Sequence, residues 1–149
     1  MELGIKYRVV HKEKAGFSVA VFPRAILPTA TNARGERTRI LLPMWLGKDF
    51  AGGTSLFGGG GYEFNPGAGN RNFWQAAAAV THDVSKWISV GGEFAWQQPD
   101  TSGGTNQTRA GLGSIVKFSD HYALLLSGGP TWEDHRTGYH FYAALDLNF

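Results

Sequence analysis

Tyr139-His-Phe-Tyr-Ala-Ala-Leu-Asp-Leu-Asn-Phe149 decides how the rest of the chain is read. Tyr139, Phe141, Ala143, Leu145, Leu147 and Phe149 form one set, wholly apolar or aromatic. His140, Tyr142, Ala144, Asp146 and Asn148 form the other, mostly polar. Successive side chains of a β-strand point to opposite faces, so the stretch predicts an amphipathic strand with one oily and one wet face. About ten residues suit a tilted strand crossing a bilayer, and an aromatic at each end of the oily face suits the two membrane interfaces. An edge or core strand of a soluble sandwich carries the same pattern, so the neighbouring stretches must separate the two readings.

Composition narrows them. The chain has 149 residues, enough for a single domain, with 21 glycines, 13% aromatic and only 17% charged residues. Ordinary globular chains carry about 7% Gly and about 25% charge. Abundant Gly and aromatics with few charges fit a β protein whose outer face is not in water. No apolar run of about 18 residues exists to make a transmembrane helix, but barrel strands alternate and leave only a weak hydropathy signal. With no cysteine there is neither disulfide nor thiolate chemistry. The net charge of +2 comes without a Lys/Arg cluster, which argues against a nucleic-acid partner. No secretory signal peptide precedes the first strand pattern at Glu2.

The same alternation recurs along the chain. It predicts strands over residues 2–10, 16–27, 38–50, 54–64, 73–82, 87–98, 108–118, 121–129 and 139–149. Pro23 predicts a bulge or kink in the second. Ala51-Gly52-Gly53 predicts a tight hairpin turn. Gly58 to Gly61 resemble a phosphate loop only superficially: no Lys-Ser/Thr follows and no helix begins, so they are read as a side-chain-free stretch permitting curvature.

These about nine strands are joined by connections that alternate in length. Short ones fall near residues 11–15, 51–53, 83–86 and 119–120, and long ones near 28–37, 65–72, 99–107 and 130–138. A transmembrane barrel sorts its loops this way, with short turns at one rim and long loops at the other; a soluble sandwich has no reason to. The expected fold is therefore all-β: an antiparallel up-and-down transmembrane β-barrel, 1–149 forming a single domain. Nine is odd, whereas bacterial single-chain barrels have even strand numbers with both termini at the periplasmic side. Parity and the absent signal peptide lead to the expectation of an N-terminally truncated fragment of a barrel of about twelve strands. Nine strands without closure leave two unpaired edges, so the fragment is expected to form an open, curved sheet or to misassemble.

A C-terminal amphipathic strand ending in Phe149 resembles the assembly signal of bacterial outer-membrane barrels. Specific wording adds to this: Glu2-Leu-Gly-Ile-Lys-Tyr-Arg8, Phe22-Pro-Arg-Ala-Ile-Leu-Pro-Thr29, Leu42-Pro-Met-Trp-Leu-Gly-Lys-Asp-Phe50, Asn65-Pro-Gly-Ala-Gly-Asn-Arg71 and Gln97-Gln-Pro-Asp-Thr-Ser-Gly103. These stretches resemble the "MetA-pathway of phenol degradation" outer-membrane family, also described as transporters. The resemblance covers most of the chain and corresponds to the C-terminal part of such proteins. It implies a barrel in the bacterial outer membrane that passes small, often aromatic, hydrophobic molecules. It also implies membrane lipid and the barrel assembly machinery as partners. It supplies no catalytic or binding residues.

In a barrel the second face of each strand lines the lumen. The candidates are Lys6, Arg8, Arg24, Arg39, Trp45, Phe57, Glu63, Glu93, Gln97, Arg109, Lys117, His140, Tyr142 and Asp146. They either pair across a narrow lumen as a satisfied polar core or border a solute path and set its selectivity. Phe22, Trp45, Phe57 and Tyr142 either stack on an aromatic solute or plug the barrel. Trp74, Trp87, Trp96 and a loop residue, Trp132, read as interface girdles. His135 and His140 with Glu133 and Asp134, and the pair His82-Asp83, offer metal-ligand types without convincing spacing. No Gly-x-Ser-x-Gly elbow is present; Ser102 or Ser127 with His135 is the remaining hydrolytic combination, and the chain is read as no enzyme, needing no cofactor or metal. The leading functional expectation is an outer-membrane channel for small hydrophobic or aromatic compounds. The alternatives are a plugged structural or binding barrel acting through its outer loops, and a soluble β-barrel carrier.

Overall fold

A computed structural model describes residues 1–12, 16–29 and 37–147, with the side chains of His11 and Lys12 excepted. Residues 13–15 of the turn expected at 11–15, most of the 28–37 loop and the terminal Asn148-Phe149 lie outside the described residues, whereas 11 and 12, expected in that turn, continue a strand. The strands are β1 (Glu2–Gly4), β2 (Tyr7–Lys12), β3 (Phe17–Val21), β4 (Arg24–Ile26), β5 (Arg39–Phe50), β6 (Thr54–Phe64), β7 (Phe73–Asp83), β8 (Ile88–Gln97), β9 (Gln107–Lys117), β10 (Tyr122–Glu133) and β11 (Arg136–Leu147). No helix occurs among the described residues. All eleven strands belong to one antiparallel sheet in which sequence neighbours are spatial neighbours from β4 onward.

The first two lines of this sheet are each broken. β1 and β2 together face β4 and β3, and the break falls at Phe22-Pro23, where the proline has no N–H to give the ladder. Two backbone bonds carry the pairing across it: Ile5 N–H to the Pro23 carbonyl and Phe22 N–H to the Pro43 carbonyl, both 3.1 Å. Between Arg8 and Val10 the register slips by a bulge. Val10, rather than Val9, therefore pairs with Val19. With β1–β2 and β3–β4 counted as single lines, the eleven stretches make nine lines, as the alternation of the sequence implies.

Two expectations fail near the end of the chain. The polar segment 130–138 is not a long loop: β10 runs through Pro130 to Glu133, and only Asp134 and His135 separate it from β11. Both have positive φ, 45° and 60°, the geometry of a two-residue type I′ hairpin. Trp132 is consequently a strand residue, opposite Thr108 on one side and Thr137 on the other. Pro130 is tolerated inside β10 because the β9–β10 pairing lapses around it and resumes in the same register at Thr131 and Arg109. The remaining described connections keep the expected asymmetry, with turns at 51–53, 84–87 and 118–121 on one rim and the loops 65–72 and 98–106 on the other.

Strand alternation and unbroken register from β5 to β11 sort the side chains into two faces. One row runs Lys48, Leu56, Val80, Gly92, Leu112, Gly128, Phe141; the row beside it runs Gly47, Phe57, Ala79, Glu93, Gly111 and, past the lapse, Gly129 to His140. The first row belongs to an apolar face. From β5 to β11, Lys48 is its one Asp, Glu, Lys or Arg, and the amine of Lys48 rests over the Phe50 ring near the rim. Leu42, Met44, Trp74, Phe94, Leu112, Tyr139 and Phe141 on that face are all exposed. The second row belongs to a face carrying nearly all the strand charges.

The sheet curls toward the charged face. Arg24 of β4 and His140 of β11 are seven strand steps apart, about 34 Å if the sheet were flat, yet they border one cavity. The edges formed by β1–β2 and by β11 are not hydrogen-bonded to each other among the described residues, so the sheet is curved and open. Only Ala20, Leu41, Phe73 and Ala123 are buried apolar residues among those described, because most large apolar side chains point outward from the convex face.

Candidate functional site: the concave face

The strand register puts Arg8, Arg24, Arg39, Trp45, Phe57, Glu63, Glu93, Gln97, Arg109, Lys117, His140, Tyr142 and Asp146 on the concave face. Lys6 lies in the break between β1 and β2, exposed. Not all of these residues meet. Arg24, Trp45, Gln97, Arg109 and His140 border the cavity of about 390 Å³ already mentioned. Glu93 and Tyr142 border a smaller one of about 150 Å³, displaced toward the short-turn rim and walled by Ile115 and Leu125. Lys117 and Asp146 line neither cavity.

Near the long-loop rim the charges pair in sequence across the strands. Arg24 Nη1 donates to Glu2 Oε1 at 2.8 Å, and Arg39 Nη1 donates to Glu63 Oε1 at 2.9 Å. Gln75 Nε2 donates to the other Glu63 oxygen at 3.2 Å. Glu63 is the most enclosed carboxylate of the described strands, and its two donors satisfy both oxygens; an unpaired charge there would be costly. Above it the loops are laced together. Asn65 Nδ2 donates to the Asp100 carbonyl, Arg71 N–H donates to the same carbonyl, and Ser102 N–H donates to the Gly69 carbonyl. The loops after β6 and β8 therefore form one hydrogen-bonded cap rather than two loose segments.

Halfway down, a side-chain bridge crosses the concave face. His140 Nε2 lies 3.1 Å from Glu93 Oε1, linking β11 to β8 over β9 and β10. It passes above Gly111 and Gly129, which have no side chains to obstruct it. A Cβ on Gly111 would lie 3.0 Å from Glu93 Oε1, and one on Gly129 would lie 2.1 Å from the Ala110 carbonyl oxygen. The bridge stands between the larger and the smaller cavity, with His140 bordering one and Glu93 the other.

Elsewhere on the concave face, the Trp45 indole and the Phe57 ring stack in parallel, 5.1 Å apart at 9°. Gly59 makes room for them: a Cβ there would sit 2.9 Å from the indole and 2.1 Å from the Met44 carbonyl oxygen. Along the same row come Ala77, Ala95 and Arg109. The floor between indole and guanidinium is thus made of Ala77 and Ala95, both of which border the cavity. Gln107 and Thr131, which the sequence reading assigned to loops, also border the cavity. The polar alternation Gln107, Arg109 was the available signal for the first; Pro130 hid the second.

Among the described residues no group of three or more His, Asp or Glu is placed to hold a metal ion. No family model, no curated protein and no solved structure matches this chain.

Proposed function

We propose that this chain forms a transmembrane sheet in the bacterial outer membrane and serves a channel for small hydrophobic or aromatic compounds, in keeping with its resemblance to the phenol-degradation transporter family. The observation that carries this reading is the convex face, apolar and exposed from β5 to β11 with Lys48 as its one such charge. In water so broad an apolar face is unfavourable, whereas in hydrocarbon it is the expected surface. The band has suitable height. The eleven residues of β6 span about 34 Å along the strand, or roughly 26 Å when tilted by about 40°. Phe50, Phe118 and Tyr122 lie at its short-turn border, and Phe64, Trp74, Trp132 and Tyr139 at the other, all exposed, as interface girdles require.

On this reading the concave face borders a solute path. The assembly machinery reads the last strand, and the laced loops face outward from the cell. The test is purification and reconstitution. The chain is expected to need detergent or lipid to stay dispersed, and to raise the flux of a small phenol into vesicles above that of protein-free vesicles. A folded monomer in plain buffer would overturn the membrane reading. The Glu93–His140 bridge and the Trp45–Phe57 stack favour a second reading, a plugged binding barrel. Membrane insertion without flux selects it.

A further inference from the structure

We infer that the larger concave cavity is a binding site for a small aromatic carboxylate. This deepens the proposed function by naming a ligand class for the same face, and rests on that reading for the exposure of the face to solutes. At about 390 Å³ the cavity falls in the range of small-molecule sites. Its lining contains Arg24, Arg109, His140 and three glutamines but not a single Asp or Glu. The glutamates of the neighbouring rows are already engaged: Glu2 by Arg24, Glu63 by Arg39 and Gln75, Glu93 by His140, and Glu133 by Gln107. Arg109 has no ion-pair or hydrogen-bond partner among the described residues. The buried Nε of Arg24, though its guanidinium reaches Glu2 through Nη1, is without an acceptor.

The cavity lining therefore carries guanidinium charge and no carboxylate of its own. The missing group is an acceptor with two oxygens, which a guanidinium binds in fork geometry. The other end of the trough specifies the rest of the ligand. Trp45, backed by Phe57, offers a flat apolar wall, and the floor of Ala77 and Ala95 leaves the space between wall and guanidinium unfilled. A ring fills that gap and stacks on the indole while its carboxylate reaches Arg109. Acetate has the charge without the ring, and benzyl alcohol has the ring without the charge.

The test is calorimetric titration of the detergent-solubilised 149-residue chain with benzoate, benzyl alcohol and acetate, with empty micelles as the blank. Benzoate is expected to bind at least about tenfold more tightly than either of the others, the usual worth of a charge-assisted bond. Arg109→Gln is expected to erase the preference over benzyl alcohol, and Lys86→Gln, a turn residue, to keep it. If Arg109→Gln does not fold, Ala95→Glu, which sets a carboxylate opposite Arg109, is expected to erase the preference equally. Equal affinity for benzoate and benzyl alcohol, or a preference that survives both variants, overturns the site. Failure of the channel reading looks different: benzoate preference without vesicle flux removes the channel and leaves the site, whereas flux without preference does the reverse.

Discussion

Gly129 has almost no freedom to become anything else. A Cβ there would approach the Ala110 carbonyl oxygen to 2.1 Å and the Gly111 Cα to 2.7 Å, both backbone atoms that cannot rotate away. Gly129→Val is expected to lower stability by about 1–3 kcal/mol or more, the usual cost of overpacking. Gly92, whose nearest neighbour atom would be 3.6 Å away, is expected to accept Ala within about 1 kcal/mol, and urea unfolding in detergent followed by Trp fluorescence compares the two. Glu93 tests a different property. Its bridge to His140 is partly exposed and contributes little stability, but Gly111 and Gly129 provide nothing to replace it. Glu93→Ala is expected to leave unfolding within about 1 kcal/mol and to raise small-solute flux through the reconstituted protein. Unchanged flux would show that the bridge does not narrow the path.

At the scale of a strand, the two faces make opposite demands. Leu126 and Ser127 are neighbours in β10, but the register puts Leu126 on the convex face and Ser127 on the concave one. In lipid vesicles Leu126→Arg is expected to cost about 2–4 kcal/mol, the penalty for a cation near the midplane of a barrel wall, whereas Ser127→Arg is expected to cost far less. Similar costs for both would contradict the assignment of faces. This sorting was legible in the sequence because period-two patterning is a local property: from Thr38 to Phe118 nearly every residue falls on the face its parity indicates. Two features depended on longer-range facts. Pro130 reads as a strand terminator, and is accommodated only because β9 pairing lapses opposite it. Asp134-His135 reads as the middle of a polar loop, since neither residue is the glycine that φ values of 45° and 60° usually call for. The pairing of Gly111 with Glu93, and the reach of Glu93 past it to His140, depend on register and curvature, and so on which strands neighbour each other.

In the whole molecule, curvature and alternation together separate an apolar convex surface from a polar hollow. The hollow gathers Arg24, Trp45, Gln97, Arg109 and His140 from strands spread over more than a hundred residues, which parity alone places on one face without bringing them together. The open edges at β1–β2 and β11 leave ladder groups unpaired, and hydrocarbon does not tolerate these, so in lipid both edges are expected to take strand partners. The chain has no cysteine, so single cysteines can be introduced one at a time along β10 from Tyr122 to Glu133 and spin-labelled in vesicles. The measurement is the accessibility of each label to oxygen, which concentrates in lipid, and to a water-soluble nickel chelate. Alternation with a period of two, oxygen-accessible at 124 and 126 and chelate-accessible at 125 and 127, is the expected result. Chelate accessibility at every position would contradict a lipid-facing convex surface and with it the membrane reading.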